Sequence, residues 1–362
     1  MLTSRKFIPV TAADKCREVL KSPQITVINM SDMLTQISQV TGKSYPWLRA
    51  YACESPFNLE GQQHKVTRRM LASFFSSKRI NSWASVFRQV VTKVVVATLE
   101  KKQIDLQADW VGPITAQCTF YALGLEPNIE PLLDVHIDQL LLLTVFERQL
   151  KIRDFDAFDS SAQHIAKAIY NNRIVQTDYT REAVPEDVTL TDNDLYNYLA
   201  CQFGLSANQI CSYMTVLLVA GASTKHTLAN VLVTLLTLAP DKRAELTLRF
   251  EKSELLERVL YSSGGVEFIY RMLNGEDVYC LNIAEANKQL TTCPFSATDK
   301  PTAAHLAFGY GPHKCIGEML SRLIMVIALE VVLDHCPNAS IKKTLTSQVF
   351  THTPAQNITV EL

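Results

Sequence analysis

Glycine is scarce in this chain, 12 among 362 residues, so backbone that needs left-handed torsions or unobstructed close approach must be confined to few places. An excess of either charge is also lacking. Lysine and arginine number 35 against 36 aspartates and glutamates, a formal net charge of -1, which excludes bulk electrostatic attraction to nucleic acid or to an anionic membrane. The N-terminal stretch MLTSRKFIPVTAADKC breaks its apolar runs with Arg5, Lys6, Asp14 and Lys15, so it has neither a signal-peptide core nor an anchor. No apolar run reaches the roughly 18 residues of a bilayer span. Together these absences predict a cytoplasmic, soluble protein. Internal repeats, low-complexity tracts and Gly/Ser linkers are missing too, which predicts one continuous domain over residues 1–362. The nine cysteines form no close repeated pairs, and a chain of this size needs no staples, so reduced thiols are expected.

What is present reads as helix. Residues 81–101 and 113–127 carry apolar side chains at helical spacing, the second opened by Pro113 and closed by Gly124 and Pro127. Residues 140–150 and 160–173 continue the pattern. At Ser206-Ala-Asn-Gln209 a capping box precedes an apolar stretch that runs to Leu238 before Pro240 stops it. Apolar nearly all round, this helix must lie inside the fold. Strand signals are short, the clearest at residues 24–30 and 357–362. The expectation is a mainly α fold with a small β region.

A quarter of the glycines cluster in HLAFGYGPHKCIG, residues 305–317. A Gly-x-Gly-Pro turn here gives way to a long apolar helix, which puts Cys315 near the unpaired N–H groups of a helix start, where a negative sulfur is favoured. Gly309 and Gly311 would let backbone pass flush against a flat ligand, with Phe308 against its face. A buried structural thiol is the plain alternative. Zinc would require two further ligands near His313 and Cys315, and the sequence places none there.

The spacing Phe308-Gly309-x-Gly311-x-His313-x-Cys315-x-Gly317 resembles the haem-binding signature of the cytochrome P450 family. The resemblance extends over most of the chain, in the order of the bacterial members, with the β region between Arg271 and Ala286-Asn287 shortened. It implies a cytochrome P450-like fold whose sheet is reduced and whose pocket is more open or covered differently. It also implies haem b ligated by Cys315, with Phe308, His313 and Gly317 around it. HKVTRRMLASFFSSKRI, residues 64–80, is similar to the family's His-x-x-x-Arg helix, which gives His64 and Arg68 a role at a haem propionate. Arg271 is the corresponding later arginine.

The central stretch Ala220-Gly221-Ala222-Ser223-Thr224 is similar to the family's oxygen-binding Ala-Gly-x-acid-Thr. By resemblance Gly221 loosens the helix into a groove beside Ala220, while Thr224 relays protons. Ser223 stands where the family has its acid. A threonine in a buried helix also commonly bonds a carbonyl one turn back. Two further departures concern a buried charge network: Glu257 matches the family's Glu-x-x-Arg glutamate, but Leu260 replaces its arginine and Lys300 a second arginine. That leaves Lys300 as the expected partner of Glu257, or a surface pair of Glu254 with Arg258 and an open fate for Glu257.

The function implied is oxidation of a small apolar or aromatic molecule by dioxygen, as a monooxygenase or as a coupling or cyclisation enzyme in secondary metabolism. Electrons would come from NAD(P)H through a ferredoxin or flavodoxin to a monomer, with Lys65, Arg69, Lys314 and Arg322 as a conceivable docking patch. Substrate contacts, by analogy, fall at Tyr45, Trp47, Tyr51, Phe57, residues 141–146, Val216 and Ala220. Two other readings stay open. A peroxide-driven haem-thiolate oxidase would account for the missing acid, and a non-catalytic haem- or ligand-binding relative for the eroded charges.

Overall fold

The computed structural model describes all residues except 1–5, 54, 127–129, 145–150, 173–193, 263, 265, 274, 276, 292–294, 297–300 and 344–357. In chain order the helices are α1 (Ala13–Lys21), α2 (Met30–Thr41), α3 (Pro46–Cys53), α4 (Gly61–Phe74), α5 (Ser77–Ser82), α6 (Ala84–Val96), α7 (Gly112–Leu123) and α8 (Glu130–Leu141). They continue with α9 (Ile152–Asn172), α10 (Leu195–Phe203), α11 (Ala207–Leu236), α12 (Pro240–Arg249), α13 (Lys252–Leu260), α14 (Ile283–Lys288) and α15 (Glu318–His335). Among the described residues seven short strands join them: β1 (Phe7–Val10), β2 (Ile25–Thr26), β3 (Gln103–Asp105), β4 (Phe268–Leu273), β5 (Asp277–Asn282), β6 (Ser340–Lys343) and β7 (Thr359–Glu361). The fold is mainly α with a small β region, as the sequence suggests.

The backbone groups into two compact units, one of residues 1–26, 83–115 and 223–362, the other of residues 27–82 and 116–222. Both sheets belong to the first. One has the order β1-β5-β4-β2, the other β3-β7-β6. β4 and β5 form an antiparallel hairpin with Leu273 opposite Asp277, and Gly275 at its tip takes φ +75, a torsion glycine adopts freely. The short reach from Arg271 to Asn287 is thus a tight hairpin running directly into α14. α15 packs along α6 and α13 in this unit and buries Ile324, Met325, Ile327, Ala328, Leu329, Val331 and Val332. Each of these side chains other than Ala328 contributes about 1.5–3 kcal/mol by leaving water.

In the second unit α3 and α8 pack on α9, where Tyr45 meets Phe155 edge-on at 6.3 Å between ring centroids.

Several boundaries differ from the sequence reading. The helix expected over residues 140–150 closes at Leu141, passing into a single 3-10 turn over residues 142–144, and the remainder lies outside the described residues. Residues 81–101 divide, because α5 ends at Ser82 before α6 begins. The strand over residues 24–30 shrinks to Ile25–Thr26, since Asn29 caps α2 with its side-chain oxygen on the Ser31 and Asp32 N–H groups. The capping box at Ser206 forms as expected: Gln209 N–H donates to Ser206 Oγ at 3.4 Å, and Ser206 N–H to Gln209 Oε1 at 3.1 Å. α11, which it opens, is long and apolar enough to cross a membrane, with 67% of its most apolar window buried in the fold, as suits a core helix.

Candidate functional site: a cysteine loop and a buried threonine

The cysteine loop lies wholly in the first unit and is held largely by main chain. Buried Asn287, at the end of α14, accepts the Leu306 N–H at 2.6 Å. Gly309 N–H donates to Leu306 C=O at 2.8 Å, and Cys315 N–H closes the loop onto Phe308 C=O at 2.8 Å. Cys315 stands just ahead of α15, whose N-cap is Gly317. Its thiol forms no disulfide and is half-buried.

The three glycines have three different physical reasons. Gly311, at φ +73, is pressed against α1: a Cβ there would sit 2.4 Å from the Leu20 carbonyl oxygen, so fold packing rather than a ligand forbids a side chain. Gly309 needs its φ of +72 but has ordinary space. At Gly317 a Cβ would meet only Cys315 Sγ, at 4.0 Å, so the surface beside the sulfur is kept clear. Among its neighbours in the chain Phe308, Ile316, Leu320 and Leu323 are only half-buried, whereas Ile324 and Met325 are fully buried. A soft sulfur donor with a glycine beside it and partly exposed apolar side chains on either side in the chain is the chemistry a haem requires, so the residues present fit that group.

On α11, Thr224 is buried, and its hydroxyl lies 3.0 Å from the Ser321 hydroxyl on α15. Ser321 is a polar neighbour that periodicity could not find, because it is 97 residues away in sequence. Ser223 is half-buried one position earlier. In the second unit, Gly221 makes room for α7: a Cβ there would lie 2.8 Å from Thr119 Cγ2. The helix runs on through residues 220–224 without a break in its secondary structure, and this close approach gives glycine a packing reason there.

Also in the second unit, His64 is buried and Arg68 half-buried one turn apart on α4, while Lys65 and Arg69 point outward. Arg271 lies on β4 opposite Tyr279 and donates to the Tyr270 carbonyl at 2.8 Å. His313 ends the short 3-10 turn Gly311–His313 and is half-buried. Of the expected substrate contacts, Tyr45 and Val216 are core residues and Phe57 is exposed. Residues 145 and 146 lie outside the described residues.

The charge network departs from expectation. Glu257 takes a two-pronged grip from Arg322, Nε to Oε1 at 2.6 Å and Nη2 to Oε2 at 2.9 Å, and His305 Nε2 lies 3.0 Å from Oε2. Lys300 lies outside the described residues. Burial alone would push the Glu257 carboxyl up, but the hydrogen bonds from Arg322 and His305 outweigh it and hold the group at about 2. Arg322 therefore serves an internal partner, and Lys314 pairs with Glu318 at 2.6 Å; two members of the conceivable docking patch are engaged within the chain. Glu254 and Arg258 form the expected surface pair at 2.9 Å.

A half-buried thiol beside a glycine just ahead of a helix suits a haem-thiolate protein, and known proteins of that class are similar to this chain. A family model described as Cytochrome P450 matches residues 287–355. Cyclomarin C epoxidase CymV of Salinispora arenicola is 24% identical over 296 residues, 76% of this chain and 72% of that protein. The 20-oxo-5-O-mycaminosyltylactone 23-monooxygenase of Streptomyces fradiae is 22% identical over 353 residues, 91% of this chain and 76% of that protein. The crystal structure of P450BioI in complex with an acyl carrier protein ligated to hexadec-9Z-enoic acid superposes with a TM-score of 0.77 at 17% identity, covering 98% of this chain and 91% of that one. The chain belongs to the cytochrome P450 family, with bacterial relatives. It is a haem-thiolate monooxygenase that acts on a small molecule with dioxygen and receives NAD(P)H-derived electrons through redox partners.

Proposed function

We propose that Cys315 is the axial ligand of haem b and that the chain is a cytoplasmic, monomeric tailoring oxygenase of secondary metabolism, working as one haem-thiolate domain. The observation that carries this reading is the clear surface beside Cys315 Sγ, kept open by Gly317. The names of the relatives, a cyclomarin C epoxidase and a 20-oxo-5-O-mycaminosyltylactone 23-monooxygenase, support a natural-product substrate. When bound, the haem supplies reductive activation of dioxygen, and a thiolate ligand favours O–O cleavage.

The protein's own residues would do the rest. His64, Arg68 and Arg271 hold the propionates as cationic or hydrogen-bonding donors. Phe308, His313 and Gly317 shape the sulfur side, and Ala220 and Gly221 the oxygen side. Thr224 passes a proton through its hydroxyl, and Ser321, paired with it at 3.0 Å, fixes which way that hydroxyl points. Ser223 relays protons through water but holds no reservoir of charge, so delivery depends on solvent more than with a carboxylate.

The test is anaerobic reduction under carbon monoxide with NADPH, a ferredoxin and its reductase. Growth of a strongly red-shifted carbonyl band is expected. If neither ferredoxin nor flavodoxin reduces the iron and hydrogen peroxide alone supports oxidation of an aromatic probe, the protein is a peroxide-driven oxidase instead.

A further inference from the structure

Two imidazoles lie face to face in the second unit. His136 on α8 and His164 on α9 stack with ring centroids 4.6 Å apart and planes 11° from parallel. Each ring is anchored at its Nδ1. His164 Nδ1 lies 2.7 Å from the Ser160 carbonyl oxygen one turn back. A carbonyl only accepts, so this nitrogen carries a proton and Nε2 is the atom that titrates. His136 Nδ1 lies 3.1 Å from the hydroxyl of buried Ser161, so two adjacent serines of α9 fix both rings. His136 is half-buried and His164 exposed, which opens the stack to protons from water.

A single proton on this pair leaves a cation beside a neutral ring, whereas a second puts like charges 4.6 Å apart. Burial, and after it the charge of His164, hold His136 below the ordinary 6.5. Among the described residues His164 is the one charged group that acts on His136. Asp134 and Asp138, two positions either side of His136 on α8, are exposed, as is Lys167 on α9. Asp156 and Asp159 on α9 serve α3 and the residues before it, Asp156 by pairing with Lys43 at 2.7 Å and Asp159 by accepting the Leu48 N–H at 2.8 Å. The 3-10 turn over residues 142–144, Leu-Leu-Thr, brings no charge.

We infer that the stack of His136 on His164 is a pH-sensitive catch between α8 and α9, closed while at most one ring is charged and released when both are. Residues 141–144, five to eight positions beyond His136, belong to the segment that the family resemblance places at the substrate, so release would loosen that wall of the pocket. This purpose rests on the haem-thiolate reading; the catch itself does not. Because the folded value of His136 is lowered, the contribution of the stack is complete above pH 6.5 and is lost as pH falls below it.

The test is amide hydrogen exchange of the full-length protein, as purified, expressed as protection factors so that the intrinsic pH dependence of exchange drops out. Between about pH 7.5 and about pH 5, protection over α8 should fall about tenfold, the effect of two unit charges at this spacing when water partly screens them. α10, in the same unit and without histidine, should stay within about twofold. His164→Asn takes up no proton, so its α8 protection should change by less than about twofold over the same range, and His136→Asn should behave alike. If His136→Asn disturbs α8 at neutral pH, the exposed substitution His164→Asn decides. Equal α8 protection at both pH values in the wild type, an equal acid loss in His164→Asn, or α10 loosening in step with α8 would each overturn the inference. Absence of a red-shifted carbonyl band would defeat the haem reading instead and leave the exchange result to decide the catch.

Discussion

The cysteine loop and the Thr224 segment of α11 are both held by contacts distant in sequence, but by different kinds of contact. The loop is fixed mostly at its own backbone, by the Asn287 side-chain oxygen on the Leu306 N–H, by Cys315 N–H on Phe308 C=O, and by Gly311 against the Leu20 carbonyl. Thr224 meets α15 through one hydroxyl pair. Main-chain contacts resist substitution of neighbouring side chains, whereas a hydroxyl pair changes with a single residue.

The largest effect expected is on the main-chain side. Gly311→Ala places a Cβ 2.4 Å from a backbone oxygen at a φ of +73, which neither partner can relieve, so destabilisation of about 3 kcal/mol or more is expected in denaturant unfolding. A change under about 1 kcal/mol would mean that α1 yields and the loop is less constrained than described.

On the hydroxyl side the fold should survive and chemistry should suffer. Thr224→Ala is expected to raise the share of NAD(P)H electrons lost as hydrogen peroxide by about tenfold. Ser321→Ala should give a smaller rise of about fivefold, the value of one hydrogen bond. Unaltered coupling in Ser321→Ala would separate the pair and leave Thr224 acting alone.

The acid sensitivity of Glu257 sharpens the contrast further. Its folded value, about 2, lies below the ordinary 4.5, so its contribution to stability is complete above pH 4.5 and drains away as pH falls from there toward 2. The thermal midpoint of Glu257→Gln should therefore lie below that of the wild type at pH 6 and converge with it only as the pH falls to about 2. A gap that is constant with pH would show that the carboxylate charge is not what the grip uses.

The smallest expected change in stability is at Gly317, where an added Cβ meets only the sulfur at 4.0 Å and φ is an ordinary -87. Gly317→Ala should alter unfolding without haem by less than about 0.5 kcal/mol while lowering haem retention through gel filtration. Full retention would show that the cleared surface is not where the ligand lies.

The long central helix and the cysteine turn were legible because each is written in neighbouring residues: a capping box for one, glycine and proline punctuation for the other. The hairpin β4–β5 also has a local signal, Asn274-Gly275 between two segments rich in apolar and aromatic residues. What was not legible is long-range. Nothing in the spacing of Glu257 and Arg322, 65 residues apart, announces that they meet, and Arg322 read naturally as one more surface cation. Gly221 and Gly311 were expected to face a ligand; their nearest neighbours are Thr119 and Leu20, packing partners that only the fold supplies.

The most direct measurement is the ferrous carbonyl spectrum of the purified protein beside Cys315→Ser. The wild type should give a strongly red-shifted band that the variant lacks, with its far-ultraviolet dichroism unchanged. A protein that purifies without haem, or a band that survives the loss of the sulfur, would contradict Cys315 as the ligand.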